Sequence, residues 1–301
     1  MSQWIIENNG IVYGSAISSD FSVAHKRAGC QDDLKLLRGS KYVHSHIENT
    51  YSMAKKDLLD GRRVLFTGTP CQIAGLYNYL GKEYENLYAI DVICHGTPSQ
   101  KTLSSYFKME NVDFSKIASL SFRDRDGFNI KLSDRNNTCL YMFNMKNSLY
   151  YNGFLDGYIY RMNCYTCRYA QENRVGDITL GDFWGLDKNI EGFEERKAGI
   201  NVVLINTEKG IRLWNAIKDR TVFKERTLDE AVRGNTQLRH PVEYSVYAKR
   251  FHQFSKEHGL EYALQYCNKK KYRLIKTRKS LKKRKTLYKI LKKLPVIKNK
   301  I

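Results

Sequence analysis

The sequence lacks a long hydrophobic run. No segment of its 301 residues approaches the roughly 20 consecutive apolar residues that a membrane-spanning helix requires. The first ten residues, MSQWIIENNG, also lack the basic segment followed by an apolar stretch that marks a secretory signal peptide. We therefore predict a cytoplasmic protein, in which seven cysteines are more typical of thiols or metal ligands than of disulfides.

Acidic residues are missing from the end of the chain. Residues 268–301 contain 16 of the 51 Lys and Arg residues and none of the 31 Asp and Glu residues. The formal net charge of +20 therefore belongs mainly to this tail, because the rest of the chain has 35 basic against 31 acidic residues. A nearly neutral body argues against a specific nucleic-acid partner.

The tail also carries an apolar pattern. Apolar residues recur in it at intervals of three or four, at Leu287, Ile290, Leu291, Leu294 and Ile297. This spacing predicts a basic amphipathic helix, suited to the anionic inner surface of a membrane. The alternative is a solvated, partly disordered tail. We therefore predict a domain of residues 1–267 followed by a tail of residues 268–301.

Residues 61–100 contain the same unit twice. In each copy an apolar run, 64–66 or 87–93, leads to a Gly-Thr-Pro sequence. Thr is a natural helix N-cap, Pro suits the first helical position, and Gln three residues after Thr completes a capping box. The unit predicts two parallel strands, each followed by a helix, with Gly81 ending the first helix. Cys71 and Cys94 would then share the carboxyl edge of the sheet, where such sheets bind ligands.

The rest of the chain extends this unit. Residues 3–17 have the pattern of a β-hairpin around an Asn-Gly turn. Three alternating segments, 117–123, 128–132 and 139–143, predict an antiparallel meander. Further helices are expected at 31–37, 47–59, 99–109 and within 246–266. The predicted fold is α/β: a mixed sheet with a parallel βαβα unit plus an antiparallel meander, and helices on both faces.

A dinucleotide-binding GxGxxG sequence and a second CxxC pair are both missing. Cys164 and Cys167 form a single CxxC, which fits neither a thioredoxin-like dithiol after a strand nor a complete zinc site. Together with Cys71 and Cys94 they make four thiolates, the ligand set of an iron–sulfur cluster. Zinc and a purely structural role of the thiols remain alternatives. The other cysteines, Cys30, Cys139 and Cys267, have no such context.

Anion-binding residues are expected near the same edge. Gly68 and Gly96 each precede a predicted helix N-terminus, which can bind phosphate. Three arginines are candidate anion partners: Arg123, Arg125 and Arg174. The Gly-rich segment 176–185 predicts either a central strand with tight bends or a strand edge that a flat cofactor approaches closely.

Six motifs resemble those of the coenzyme F-420 hydrogenase/dehydrogenase β-subunit family. They are GSKY (39–42), VLFTGTPCQIAGL (64–76), DVICHGTPS (91–99), SFRDRDGF (121–128), CYTCRYA (164–170) and GDITLGDFWG (176–185). They occur in the family's order and span nearly all of the chain before the tail.

The resemblance implies an electron-transfer subunit with iron–sulfur and flavin cofactors and an organic electron acceptor. It implies a [4Fe-4S] cluster on the four cysteines named above: Cys71, Cys94, Cys164 and Cys167. It places FAD near the loop of residues 67–72 and the GSKY segment. The candidate flavin contacts are Ser40, Lys41, Thr67, Gly68, Thr69 and Gln72, with Arg123 as an anion partner.

One feature departs from the family pattern. The chain lacks the ferredoxin-like CxxCxxC module and the Ser-Gly-Gly segment with which many relatives begin. We therefore expect a separate ferredoxin-like electron donor. Similar bacterial proteins are associated with cell-surface polysaccharide synthesis, which implies a redox step there. The alternative function is a non-enzymatic cysteine–metal protein, holding a structural cluster or zinc, that acts as a partner protein at the membrane surface. No catalytic acid or base is predicted.

Overall fold

The computed structural model describes residues 1–124, 127–186 and 199–267, together with residues 273, 276, 277, 280 and 281. Most of the predicted tail helix lies outside the described residues. The five tail residues that are described, 273, 276, 277, 280 and 281, are helical and exposed. The division into a domain and a tail therefore stays a prediction. None of the helices in the described ranges combines the length and the apolar character that a bilayer span requires.

Nine strands among the described residues form two sheets. They are β1 (Ile11–Ile17), β2 (Val23–Ala28), β3 (Val64–Gly68), β4 (Leu87–Val92), β5 (Ser119–Ser121), β6 (Asn129–Ser133), β7 (Cys139–Asn144), β8 (Ile178–Asp182) and β9 (Asn201–Ile205). The larger sheet has the order β2-β1-β3-β4-β8-β9, and the smaller sheet has the order β5-β6-β7.

The centre of the larger sheet is parallel. β1, β3, β4 and β8 run in the same direction, whereas the outer strands β2 and β9 are antiparallel to their neighbours. The register pairs Val64 with Leu87 and Gly68 with Asp91, so β3 and β4 end at the same edge. The predicted parallel βαβα unit within a mixed sheet is therefore confirmed.

Helices cover both faces of the larger sheet, as predicted. The described α-helices are α1 (Ser2–Glu7), α2 (Leu34–Leu37), α3 (Thr50–Leu59), α4 (Pro70–Leu80), α5 (Gln100–Met109), α6 (Leu149–Leu155), α7 (Glu208–Asn215), α8 (Leu228–Gly234), α9 (Val246–His258) and α10 (Leu260–Tyr266). On one face Phe66 belongs to the same core as Ile73 of α4. On the other face Leu65 shares a core with Ile5 of α1 and Leu213 of α7. Because both faces are covered, β3 and β4 each begin with a continuous buried apolar run, 64–66 and 87–90.

The antiparallel meander builds a second core. β6 pairs with both β5 and β7, and its residues Ile130 and Leu132 are fully buried. Tyr106 of α5 and Tyr150 of α6 join this core with ring centroids 5.7 Å apart. Phe251 of α9 belongs to the same cluster. The predicted meander is confirmed, and α5 connects it directly to the carboxyl edge of β4.

The predicted hairpin of residues 3–17 is wrong. Its first half forms α1, and β1 pairs instead with β2 and β3. Ile5 is fully buried in one core with Val12 and Leu65. A short apolar run does not by itself distinguish a strand from a buried helical turn, and here packing onto the sheet decides the outcome.

Candidate cofactor site at the carboxyl edge of the sheet

The candidate site lies where three parallel strands end. β3 ends at Gly68, β4 at Val92 and β8 at Asp182. The parallel register brings the loops that follow these strands to one edge of the sheet. The chain after β3 carries Cys71, and the chain after β4 carries Cys94, as the sequence predicts.

The first loop turns directly into α4. Thr69 is the N-cap, and its backbone N–H donates to Gln72 Oε1 over 3.0 Å, which completes the predicted capping box. Pro70 occupies the start of the helix, and Gly81 ends it with a φ of 70°. Cys71 is exposed in the first turn, where its Sγ lies 3.1 Å from Thr69 Oγ1.

The second loop does not repeat the first, which corrects the prediction of two identical caps. α5 begins at Gln100 with Ser99 as its N-cap, so Thr97 lies outside the helix. Thr97 instead donates its N–H to Cys164 Sγ over 3.5 Å and accepts from the N–H of Arg161 over 3.0 Å. The longer loop thereby joins the end of β4 to the CxxC segment.

Tyrosines hold the CxxC segment in place. Tyr165 donates its hydroxyl to the carbonyl of Gly157 over 2.9 Å and accepts from the N–H of Tyr160 over 3.1 Å. The ring of Tyr160 lies against Gly96, where a Cβ would stand only 2.4 Å from a ring carbon. Gly96 also has a φ of 119°, which side chains other than glycine rarely adopt. The close approach and the backbone conformation both require glycine here.

The four predicted metal-binding cysteines differ in their exposure. Burial raises the pKa of the Cys94 thiol to about 12. Negative charge on Cys164, Cys71 and Cys167 contributes to the same shift. Cys71 is exposed, whereas Cys164 and Cys167 are half-buried. The contact of Thr97 with Cys164 Sγ joins the loop that carries Cys94 to the CxxC segment, and the joint site of all four cysteines stays a prediction.

Four thiols are the donor set of a [4Fe-4S] cluster and also of a tetrahedral zinc site. In the described part of the chain, no group of three or more His, Cys, Asp and Glu side chains is placed to hold a metal ion. A zinc ion requires ligands that converge on one point, whereas each thiolate of a [4Fe-4S] cluster binds a different iron. The chemistry of the donor set fits a cluster, and its thiols need not meet at a single point.

The GSKY loop lies along the same edge. Its continuation reaches the second loop, because the N–H of His44 donates to the carbonyl of Pro98 over 2.9 Å. Ser40 is exposed, and Lys41 Nζ donates to the carbonyls of Leu37 and Arg38, at the end of α2, over 3.0 and 2.8 Å. Burial lowers the pKa of Lys41 to about 8. The two predicted flavin contacts therefore lie on a loop that is tied to the site.

His25 is the residue of this edge that sequence reasoning missed. It is 2% exposed on β2, with Nε2 2.9 Å from the carbonyl oxygen of Thr67 and Nδ1 2.9 Å from Ser45 Oγ. Burial lowers its pKa to about 4, so the imidazole is neutral at pH 7. The contact with Thr67 joins residues 42 positions apart, and no local pattern in β2 indicates it.

The predicted anion partners differ in their surroundings. Arg123 Nη1 donates to Asp182 Oδ2 over 2.7 Å, so Arg123 reaches the end of β8 with its charge paired. Arg174 forms an ion pair with Asp91 at 2.9 Å, and these two side chains are 2% and 0% exposed. Arg174 therefore acts within the protein, which corrects its interpretation as an anion partner. Arg125 lies outside the described residues.

The Gly-rich segment 176–185 packs against protein. β8 lies in the sheet between β4 and β9. A Cβ on Gly176 would stand 2.8 Å from the backbone nitrogen of Asp91, and one on Gly181 would stand 2.7 Å from Ile93 Cδ1. These contacts favour the central-strand interpretation over a strand edge that faces a cofactor.

A cleft of about 440 Å³ lies at the opposite edge of the sheet. The residues that line it precede β1 and β3: Asn8, Asn9, Gly61, Arg62 and Arg63. A ligand in this cleft would face the amino ends of the strands, away from the cysteines. We therefore do not assign the predicted cofactors to it.

Comparison with known proteins identifies the family. Residues 61–231 match the family described as the C terminus of the beta subunit of coenzyme F420 hydrogenase/dehydrogenase. The chain belongs to this family. The matched segment contains all four predicted metal-binding cysteines and the loop of residues 67–72, whereas His25, Ser40 and Lys41 precede it. A family of hydrogenase and dehydrogenase subunits supports a role in an oxidation–reduction reaction.

A solved structure also aligns with most of the chain. A chain of the F420-reducing [NiFe] hydrogenase complex from Methanosarcina barkeri is 14% identical, with a TM-score of 0.49. The alignment covers 95% of this chain and 84% of that chain. No curated protein sequence matches this chain.

Proposed function

We propose that the chain is an iron–sulfur oxidoreductase subunit that transfers electrons to an organic acceptor, with a flavin as a second cofactor. Membership of a family of hydrogenase and dehydrogenase subunits supports the oxidoreductase part. One observation carries the iron–sulfur part: the N–H of Thr97 donates to Cys164 Sγ, which joins the loop of Cys94 to the CxxC segment at the edge of the sheet where Cys71 also lies.

Three segments of the chain would hold the cluster. Cys71 would bind from the first turn of α4, Cys94 from the loop after β4, and the CxxC pair from the segment before β8. The N–H of Thr97 points at Cys164 Sγ, and hydrogen bonds to cluster sulfurs tune the reduction potential. When bound, the cluster would supply electron transfer.

The flavin would lie between the GSKY loop and the start of α4. The predicted flavin, FAD, carries an anionic diphosphate. The N-terminus of α4, an 11-residue helix, and the side chain of Lys41 supply positive charge there. Arg123 is a further candidate, although an anion would have to compete with Asp182 for its guanidinium. When bound, the flavin would exchange electrons with the organic acceptor.

The proposed partners follow from the same assignment. A separate ferredoxin-like protein would supply the electrons. The resemblance to bacterial proteins associated with cell-surface polysaccharide synthesis makes a precursor of such a polysaccharide the first acceptor to test. The basic tail would place the protein on an anionic membrane surface.

Anaerobic purification of the full chain tests the proposed function. We expect a brown protein with about four irons and matching sulfide per chain, and flavin released on denaturation. Replacing any one of the four cysteines by serine should lower the iron content. Cys139→Ser is the matched control, because Cys139 is exposed on β7 and should leave the iron content unchanged. A colourless protein with a single zinc ion would contradict the proposal and support the non-enzymatic alternative.

A further inference from the structure

His25 is bonded through both nitrogens of its ring. A carbonyl oxygen only accepts, so Nε2 carries the hydrogen and donates to Thr67, while Nδ1 accepts from the hydroxyl of Ser45. The ring also stacks on Phe66, with centroids 5.4 Å apart and planes 14° apart. The tautomer and the orientation of the imidazole are therefore both determined by its neighbours.

Ser45 connects His25 to the other end of the turn of residues 67–72. Its carbonyl accepts from Gln72 Nε2 over 2.8 Å, and Gln72 Oε1 accepts from the backbone N–H of Thr69 over 3.0 Å. His25 and Ser45 thus hold the turn of residues 67–72 at its beginning and at its end. The turn itself contains Gly68, which resists conformational change less than other residues do.

We propose that His25 is the positioning residue of the candidate cofactor site. It fixes the carbonyl of Thr67 and, through Ser45, the cap of α4, and this determines where Cys71 is presented. The role of this positioning, the presentation of Cys71 to a cofactor, rests on the proposed function, whereas the hold of His25 on the turn does not. His25 acts through Thr67 and Ser45 and does not touch the cofactor.

Hydrogen exchange on the metal-free full chain tests the positioning directly. The amides of Gln72 and Ile73 donate to the carbonyl of Thr69 and report on the turn. We expect these amides to exchange at least about tenfold faster in His25→Ala than in the wild type. His25→Gln should exchange slowly, because its amide can still donate to Thr67. In His25→Asn the shorter amide can reach Ser45 but not Thr67, so Gln72 and Ile73 should exchange as fast as in His25→Ala.

The matched control loses a buried hydrogen bond elsewhere. Asn235 is 1% exposed at the end of α8 and donates to the carbonyl of Ala231 over 3.0 Å. Asn235→Ala should lower the global stability without accelerating exchange in residues 67–73. If His25→Ala does not fold, the comparison of His25→Gln with His25→Asn decides the question. Equal exchange at Gln72 and Ile73 in these two variants and the wild type would overturn the proposal.

A second readout separates this proposal from the proposed function. In reconstituted protein, a chelator should remove iron about tenfold faster from His25→Ala than from Asn235→Ala, and His25→Gln should restore the slow rate. Equal rates in all variants would overturn the role of His25 toward the cofactor. A wild-type chain that takes up no iron would overturn the proposed function, whereas the exchange experiment would still decide whether His25 positions the turn.

Discussion

At the scale of single residues, buried polar side chains hold β4 and β8 together. Asp91 pairs with the buried guanidinium of Arg174, and its second carboxylate oxygen accepts the N–H of Gly176 over 2.9 Å. Asp177 accepts from the N–H of Ala89 and from the hydroxyl of Thr207. The bonds of Asp91 with Gly176 and of Asp177 with Ala89 join β4 to the segment before β8, so Arg174, a candidate anion partner in the sequence, serves the fold.

The ion pair between Arg174 and Asp91 makes a prediction about stability. Arg174→Met should lower the free energy of unfolding by about 3–5 kcal/mol, because it leaves the Asp91 carboxylate buried without a counter-charge. Urea denaturation of the metal-free chain measures this loss. Arg212→Met is the control, since the pair of Arg212 with Glu85 is exposed and contributes little. Similar losses in the two variants would refute the buried pairing.

His25 makes a prediction about pH. Its pKa is about 4 in the folded protein and about 6.5 in an unfolded chain, so only the unfolded chain binds the proton between these values. The free energy of unfolding should therefore fall as the pH drops from about 6.5 to about 4, by up to about 3 kcal/mol for this group. In His25→Gln the free energy of unfolding should fall less over the same pH range. Urea denaturation of both proteins at pH 7 and at pH 4.5 measures the difference. The same decline in both proteins would contradict the burial of a neutral imidazole.

The two Gly-Thr-Pro loops show, at the scale of elements, what the sequence can predict. α4 could be predicted because Thr69 and Gln72 cap its start through each other and Gly81 ends it, all from local sequence. α5 has Ser99 rather than the predicted Thr97 as its N-cap, because the side chain of Gln100 donates instead to the carbonyls of Val23 and His44. These partners are 77 and 56 positions away, and no local pattern indicates them.

The same limit explains the other misassigned element and the missed site residue. The residues of α1 resemble a strand, and only the apolar face of the larger sheet, to which Ile5 packs, makes them helical. His25 becomes a site residue only when β2 lies beside β1 and the loop of Ser45 returns to it. Motif spacing was enough to place Cys71 after β3 and Cys94 after β4, whereas side-chain contacts across the sheet had to be observed.

The loop between β4 and α5 provides a prediction at the scale of elements. Gly96→Ala should lower the free energy of unfolding by at least about 1 kcal/mol and lower iron uptake, because the new Cβ meets the ring of Tyr160. Gly81→Ala is the control: it also has a positive φ, but no atom lies within 4 Å of its Cβ position. Urea denaturation and iron analysis of both variants measure the difference. Equal effects would show that backbone strain alone, rather than the contact with Tyr160, is responsible.

The whole molecule combines a nearly neutral body with a strongly basic tail. The larger sheet, its two helical layers and the meander agree with the fold predicted from the sequence. Among the described residues of the tail, Arg273 and Lys276 are helical and exposed. Their positive charge is therefore accessible to an anionic partner, which is the basis of the proposed contact with a membrane surface.

Removal of the tail tests this contact. A truncation that ends at Asn268 should stop co-sedimenting with vesicles rich in phosphatidylserine, while the full chain should bind them and release them at high salt. Vesicles of phosphatidylcholine alone are the control and should bind neither protein. Unchanged sedimentation of the truncated chain with the anionic vesicles would rule out the tail as the membrane-binding segment.

The central claim is that Cys71, Cys94, Cys164 and Cys167 together hold a [4Fe-4S] cluster. The most direct test is the electron paramagnetic resonance spectrum of the full chain after anaerobic reconstitution and reduction with dithionite. We predict the signal of a reduced [4Fe-4S] cluster in the wild type and in Cys139→Ser, and its loss in Cys94→Ser. No signal from the reconstituted wild type, or the same signal in Cys94→Ser, would contradict the claim.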